Sequence, residues 1–411
     1  MADADIAVVG AGAAGLMAAI WAARTRPEAR VIVLDGAERL GAKILVAGGG
    51  RCNVTHERVE PDDFNGGSKH AIRKVLLRFD VPETVRFFGD LGVTLKREPT
   101  GKLFPTTDRA RTVLEALLAA ARDAGATLLH PRRVESVDFD GGAFDLQGDW
   151  GTLTALRLIL ATGGRSVPKS GSDGHGYALA RSLGHTLTPR VLPALVPLLL
   201  PSGHPLTGLS GVSSEVSLTL ADRGGRARVT VDGSMLCTHF GVSGPAVLDI
   251  SRHWQHATLD DSSAVLTVNW LPGESFESVD RALAAQPGSA LRWIGGRLVE
   301  RLTRTLCAAA DVNASAPLST LTREKRRALS AVLTRYPLPI TGTRGFNYAE
   351  VTAGGVPLTE VDLKTLESRC RPGLHLCGEI LDVDGRIGGF NFQWAWSSGY
   401  VAGRAAAESL V

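Results

Sequence analysis

The 411-residue chain has few cysteines, no long hydrophobic run and no marked excess of either charge, and each shortage excludes something. Its five cysteines (Cys52, Cys237, Cys307, Cys370, Cys377) are an odd number with no CxxC and no Cys/His ligand spacing. That argues against a disulfide framework or a zinc site and fits free thiols in a reducing compartment; no metal is expected. The longest greasy run away from the N-terminus, Val191 to Leu200, contains Pro193 and Pro197 and is too short to span a bilayer. Ile6 to Ile20 is apolar, but Asp3 and Asp5 precede it where a secretory signal would carry Lys or Arg, and it holds three glycines. No membrane association and a cytoplasmic location are expected. The net charge of +3 decides nothing about nucleic acid, because binding depends on clustering more than on the total. No repeats or low-complexity tracts occur. With 44% apolar and 21% charged residues the composition is that of a globular protein, and the length calls for two or three domains.

The first chemistry lies at the N-terminus. Ile6-Ala7-Val8-Val9 reads as a buried strand, Gly10-Ala11-Gly12-Ala13-Ala14-Gly15 follows, and a helix is predicted from about Ala14 to Thr25. In this strand–turn–helix context Gly10 permits the tight turn, Gly12 lets the backbone approach a pyrophosphate, and Gly15 lets helix and strand pack closely. The helix then presents free N–H groups and its positive end to the phosphates. A second strand, Val31 to Leu34, ends in Asp35, twenty residues past Gly15, where an acid can accept hydrogen bonds from ribose hydroxyls. A bare structural glycine turn is the alternative.

Gly41-Ala42-Lys43 leads to Gly48-Gly49-Gly50-Arg51-Cys52-Asn53. Three consecutive glycines predict a loop whose backbone can lie against a flat ligand, here the isoalloxazine ring of a flavin. Cys52 reads either as a small residue packed by that ring or as a thiol with a chemical role. With no second cysteine within five residues, dithiol exchange is not expected. The same domain takes in a helix over Ala110 to Ala124 and strands over Thr127 to His130 and Arg133 to Val137, with Val134 placed to meet the adenine through its backbone. A strand from Leu156 to Leu160 runs into Ala161-Thr162-Gly163-Gly164, and the glycine-rich Gly171 to Tyr177 opens a helix ending near Gly184. Near the C-terminus the strand Leu374 to Cys377 precedes Gly378-Glu379, an acid placed for the ribityl hydroxyls. Asp384 follows, then Gly388-Gly389, Asn391 and Phe392, where a last helix starts and runs to about Glu408. The N-terminus of that helix, aimed at the N1/C2=O edge of a flavin, would stabilise negative charge on its reduced form. Trp394 and Trp396 read as core residues of this helix.

These pieces, read together as GAGAAG, GGGRCNVT, GKLFPTT, SDGHGYALARSLGH, THFGVSGPAVLDIS, AEVTAGGV and GEILDVDGRIGGFNFQWAWSSG, resemble the BaiN-like flavoprotein family, also called aminoacetone-oxidase-family FAD-binding enzymes. The match runs in order through nearly the whole chain and is weakest around 275–335. GGGRCN and LDVDGxxGGxNxQWA are the most specific motifs. His56 and Asp173 depart from the common family pattern.

The resemblance implies an α/β fold: a Rossmann-like FAD-binding domain of the two-dinucleotide-binding type, with a small antiparallel β domain and a helical subdomain inserted. The boundaries expected are 1–188 and 345–411 for the FAD domain, 189–273 for the β-rich substrate domain and 274–344 for the helical subdomain. The residues agree: Val212 to Leu220, Ala227 to Val231 and Ala264 to Trp270 alternate as strands, with Asp222-Arg223-Gly224-Gly225 as a turn, and Leu291 to Ala310 and Thr322 to Leu333 read as helices. The insert would close over the flavin and shape the substrate pocket.

Only one strand–GxGxxG–helix occurs, so NAD(P)H would be met transiently in the substrate cleft, or electrons would come from the substrate itself. The Gly-Glu pair resembles that of succinate dehydrogenase and fumarate reductase. The leading expectation is therefore reduction of an activated C=C bond in a small molecule, with hydride from flavin N5 and a proton from a protein acid. His239 is the first candidate for that acid, against a purely structural role; Cys52, Arg51 and Tyr348 come after it. The family also contains enzymes reducing uracil in ribosomal RNA and one labelled an amine oxidase. RNA as partner rests on the basic stretch Arg323, Lys325, Arg326 and Arg327, with Arg335 and Arg344 nearby, against the reading of a solvated helix face. A non-catalytic flavin-binding module is the remaining alternative.

Overall fold

In the computed structural model, which describes residues 2–222, 224–261 and 263–410, the chain forms two compact units: residues 1–193 with 349–411, and residues 194–348. The first is built on a mainly parallel sheet. Strand β1 (Ala4–Val9) lies between β2 (Val31–Leu34) and the strand β4 (Gly151–Leu160), with β3 (Thr127–Leu129) outside β2. All these pairs are parallel, in a register that sets Ala7 against Ile32 and Leu158, and Val33 against Leu128. Strand β6 (Leu374–Leu376) joins the far side of β4 in parallel, Leu374 beside Leu158. Near-continuous apolar strands such as ADIAVV and VIVL are what a sheet covered on both faces requires. Strands 136–139 and 144–148 extend the sheet as an antiparallel ladder on the early half of β4.

Helix α1 (Ala13–Thr25) follows the first turn, and α3 (Phe390–Glu408) ends the chain. They pack against each other at unusually short range because glycine permits it. A Cβ on Gly399 would stand 2.5 Å from the Ala14 carbonyl oxygen, and one on Gly403 would stand 2.2 Å from that of Ala18. Small residues one turn apart thus bring the two ends of the chain together, which places the N-terminal glycine turn beside the C-terminal motif.

The regular part of helix α2 (Ala42–Gly50) stops before Ala47, whose ψ is 144°. Gly48, Gly49 and Gly50 then take φ of 59°, 68° and 83°, so the predicted glycine loop is present inside a span that keeps helix-like hydrogen bonding. The strand predicted over 133–137 forms later, over Ser136–Phe139. The preceding segment is drawn out of the ladder because Arg132 N–H bonds to the Asp35 carbonyl at 2.7 Å.

The second unit has its own core. Antiparallel strands Ser213–Ala221, Ala227–Thr238, Gly241–Ser243 and Val265–Asn269 carry helix Pro245–Asp260, and Val216, Leu218, Trp270 and Leu302 are buried among its apolar side chains. Helices Phe276–Ala285, Glu300–Ala309 and Arg323–Thr334 contribute Val279, Leu283, Leu306, Leu329 and Leu333 to this same core. The single helix predicted over 291–310 is two, Ala290–Ile294 and Glu300–Ala309, broken at Gly295-Gly296. Arg223 of the predicted turn lies outside the described residues; Asp222 Oδ1 accepts from Gly224 N and Arg226 N at 3.0 Å and holds the turn together.

Candidate functional site

The first turn is shaped by contacts that admit no side chain. Gly10 has φ 104°, and a Cβ on Gly15 would sit 1.8 Å from the Gly10 carbonyl oxygen. Gly12 differs: it caps α1 in an extended conformation, and a Cβ there would meet nothing within 4 Å. No side chain caps the first turn of α1 and no acid stands within that turn. Asp35 braces the turn from the end of β2, its Oδ2 accepting from Ala11 N at 2.6 Å and its Oδ1 from Ala37 N at 2.8 Å. An ionised carboxylate has about four acceptor positions, which leaves room for ribose hydroxyls.

Opposite the turn, Ala161 N–H bonds to the Val9 carbonyl at 2.9 Å, and the Gly163 φ of 73° bends the chain away. Thr162 Oγ1, Ser172 Oγ and Asn53 Oδ1 are buried with no hydrogen-bond partner among the described residues. Buried polar atoms are costly without partners, and unpartnered ones beside a glycine turn are what a polar ligand would satisfy. Together with the open face of Gly12 they fit a dinucleotide. Val134 is buried in the extended segment ahead of strand 136–139, held on both sides by Arg132 N–H to Asp35 O and Glu135 N–H to Gln147 O at 2.8 Å. Asp173, one of the two departures from the family pattern, pairs with Arg133 at 2.8 Å and accepts from His175 N at 3.0 Å.

The second cluster joins distant parts of the sequence. Lys43 Nζ contacts both Glu379 Oε2 and Ser166 Oγ. Glu379 Oε1 accepts from Ser166 Oγ at 2.7 Å and from Thr352 N at 2.9 Å. Thr352 Oγ1 in turn accepts from Arg165 N at 2.8 Å and Ser166 N at 3.1 Å. Lys43 and Glu379 were legible as candidates. Ser166 and Thr352 were not, although Thr352 lies in the AEVTAGGV stretch. Glu350, two residues before Thr352, is exposed, and its backbone carbonyl accepts from Ser166 Oγ at 3.4 Å. Gly378, at φ 78°, donates to Ser398 Oγ at 2.9 Å and accepts from Trp394 Nε1 at 3.1 Å, so that tryptophan fixes the Gly378-Glu379 turn besides filling the core.

Several other candidates take structural places. Arg51 pairs with Glu98 at 2.6 Å, approaches Asp108 at 3.6 Å and lies 4.0 Å over the Phe104 ring. Cys52 is fully buried at φ 60°, and burial pushes its thiol up to about 12, so it stays protonated at neutral pH. Asn391 spends its amide on Gly385, accepting from its N–H at 2.8 Å and donating to its carbonyl at 2.9 Å. Phe392 stacks on Trp396 with centroids 5.4 Å apart. Asp384 is buried in a two-stranded ladder opposite Asn65. Gly388 and Gly389, at φ 131° and 97°, lead into α3, whose first turn has neither side-chain cap nor acid. Gly49 and Gly50 are exposed. His56, the other departure, stacks on Phe390 at 4.9 Å.

In the second unit, His239 is exposed in the turn between strands 227–238 and 241–243, its ring edge-on to Phe240 at 5.0 Å. Tyr348 is exposed beneath Arg344, which lies 3.4 Å over its ring. The basic stretch is largely paired: Lys325 with Asp311 at 3.0 Å, Arg326 with Asp280 at 2.9 Å, and Arg327 and Arg335 over the Phe276 ring. Among the described residues no helix is long and apolar enough to cross a membrane.

A Rossmann-type glycine turn beside a second, polar cluster on one α/β sheet defines the class: an FAD-dependent oxidoreductase. Within it, the chain belongs to the family described as HI0933-like protein Rossmann domain, which it matches over residues 4–405. It is 38% identical over 408 residues to a 3-dehydro-bile acid delta(4,6)-reductase of Clostridium scindens, covering 98% of this chain and 99% of the relative. It is 34% identical to a ribosomal RNA dihydrouridine synthase of Escherichia coli, covering 99% and 98% of the two. A 3-ketosteroid delta1-dehydrogenase of Sterolibacterium denitrificans shares the fold over 99% of this chain and 100% of its own, with a TM-score of 0.53 at 13% identity.

Proposed function

We propose that this chain is an FAD-dependent reductase of an activated C=C bond in a small enone, drawing its electrons from NADH or NADPH. The observation that carries the reading is its end-to-end similarity to a relative named for reducing the delta(4,6) positions of a 3-dehydro steroid acid. The site is consistent with it. Gly10, Ala11, Gly12, Ala14 and Gly15 would take the pyrophosphate, Asp35 the adenosine ribose, and Val134 with Ala161, Thr162 and Gly163 the adenine side. Lys43, Gly49, Gly50, Asn53, Gly378, Glu379, Gly388 and Gly389 would take the flavin side. When bound, FAD supplies the two electrons of the reduction as hydride from its N5. The chain's own task is to orient the ligand, hold the Glu379 side chain in place through Lys43, Ser166 and Thr352, and turn a helix N-terminus toward developing negative charge. The buried, partnerless Cys52 thiol is unsuited to disulfide exchange.

A second reading, reduction of uracil in ribosomal RNA, is favoured by the 34% identical relative. The two readings share chemistry, since the uracil 5,6 bond is also conjugated to a carbonyl. The pairing of Lys325 and Arg326 with acids lowers the charge available for phosphates, so we rank it second.

The test is anaerobic. Purified protein should be yellow and release FAD, not FMN, on denaturation. NADH or NADPH should bleach it, and a 3-oxo-4-ene or 3-oxo-4,6-diene steroid should restore the colour while losing its double bond. Recolouring by unmodified ribosomal RNA and not by any enone would select the second reading. A colour that no nicotinamide bleaches would remove the NAD(P)H linkage.

A further inference from the structure

We propose that His185, Glu360 and Cys370 form a binding site for a zinc-like divalent cation, on the same unit as the nucleotide turn and independent of which substrate is reduced. Three stretches of chain supply it. His185 follows helix His175–Ser182, just past Gly184, which turns the chain at φ 97°. Glu360 closes the short turn Leu358–Glu360 beyond strand β5 (Val351–Ala353), the strand of Thr352. Cys370 lies where the chain folds back beside that turn. One ligand atom from each residue, an imidazole nitrogen, a carboxylate oxygen and the Cys370 sulfur, lies within 4.8 Å of the other two. Around tetrahedral zinc, with bonds of about 2.0–2.3 Å, neighbouring ligand atoms stand about 3.5 Å apart, so the three have to close by only about 1 Å.

Hydrogen bonds hold the three together in advance. Arg369 N–H donates to the Glu360 carbonyl at 2.8 Å, which sets Cys370 beside Glu360. Thr186 donates to the Glu360 carboxylate from its N–H at 3.0 Å and also from its hydroxyl, which sets the carboxylate beside His185. A Cβ on Gly184 would lie 3.5 Å from the Cys370 Cβ, so the turn that carries His185 runs next to the cysteine. Ligands already fixed in place lose little freedom when they bind.

An independent observation comes from the imidazole. His185 is 4% exposed, its Nδ1 lies 2.8 Å from Glu360 Oε2, and its Nε2 is buried with no partner among the described residues. A neutral ring has one N–H and one lone pair, and an ionised carboxylate only accepts. Glu360 can therefore serve the N–H but not the lone pair, whichever nitrogen carries it. A buried acceptor without a donor is costly, and a bound cation would use that lone pair. A carboxylate beside a histidine is also the pairing that orients metal-bound imidazoles.

The donor set selects the metal. Thiolate, imidazole and a single carboxylate suit zinc, whereas magnesium and calcium take shells of oxygen. Three protein ligands leave a fourth position open, and Cys370 is exposed, so the cation can enter from solvent. His185 and Glu360 are 175 positions apart, which is why no ligand spacing in the sequence announces the site. Once bound, the metal would tie the chain after helix His175–Ser182 to the segment beyond β5 and stabilise the folded unit.

Cys370 is the one exposed cysteine of the five, so its own reactivity reports on the site. The test uses FAD-loaded protein freed of metal by a chelator, as wild type, Cys370→Ser and Glu360→Gln. Equilibrium dialysis against micromolar zinc chloride should load one zinc per wild-type chain. The same zinc should slow alkylation of Cys370 by iodoacetamide about tenfold or more, read by mass spectrometry, because a coordinated thiolate is withdrawn from reaction. Magnesium and calcium chloride should give no protection. Cys370→Ser and Glu360→Gln should each keep FAD, which shows that they fold, and bind zinc about 10- to 100-fold more weakly. Should Glu360→Gln not fold, Cys370→Ser, at an exposed position, carries the test alone. Alkylation unchanged by zinc would overturn the proposal. So would zinc held by Cys370→Ser as tightly as by wild type, since the metal would then lie elsewhere. Equal protection by magnesium or calcium would overturn the choice of a zinc-like cation.

Discussion

In residues 1–193 and 349–411, the glycines where the two ends of the chain meet are pressed against backbone. Cβ atoms would lie 1.8 Å from an oxygen at Gly15, 2.6 Å from a carbonyl carbon at Gly389 and 2.2 Å from an oxygen at Gly403. In residues 194–348, Gly203, Gly208, Gly211, Gly225, Gly273, Gly296 and Gly345 sit where a Cβ would meet nothing within 4 Å, with Gly241, Gly244 and Gly295 the clear exceptions. The charges differ in the same sense. The first unit gathers Lys43, Glu379, Ser166 and Thr352 from four separate segments onto one spot. The second pairs its basic stretch locally, Arg326 with Asp280 and Lys325 with Asp311. One unit is constrained by close approach of backbone to backbone, the other by ordinary burial of apolar faces.

That contrast is open to direct attack. The largest effect is expected at Gly15→Val, which forces a Cβ into the Gly10 carbonyl; the cost should exceed the roughly 3 kcal/mol of ordinary overpacking and leave little folded protein, as judged by soluble yield and circular dichroism. Gly12→Val should behave differently although it lies three residues away. Its Cβ has space in the protein, so a folded product is expected that retains no FAD, because the side chain takes the room of the pyrophosphate. Normal flavin content in Gly12→Val would reduce the motif to a structural turn.

In the insert, Trp270→Ala removes a side chain only 1% exposed and should cost about 3–5 kcal/mol by denaturant titration, with one FAD per folded chain retained. Loss of flavin in proportion to stability would erase the distinction between the units. The smallest effect is expected at Cys52. With its thiol pushed up to about 12, it should resist thiol reagents at neutral pH in the folded protein, and Cys52→Ala should change the rate of flavin bleaching less than about twofold. A tenfold loss would return this cysteine to the chemistry.

The sequence by itself determined the parts whose chemistry is local. The strand–turn–helix with Gly10, Gly12 and Gly15, the acid at the end of β2, and the last helix after Gly388-Gly389 were legible because each needs particular residue types at fixed short spacing. Tertiary structure alone decided which residues meet across long separations. Lys43 and Glu379 are 336 positions apart and Ser166 and Glu379 are 213 apart, so no period or spacing joins them. It also decided that Arg51 is engaged by Glu98, that Asn391 is tied to Gly385, and that a predicted helix over 291–310 breaks at Gly295-Gly296.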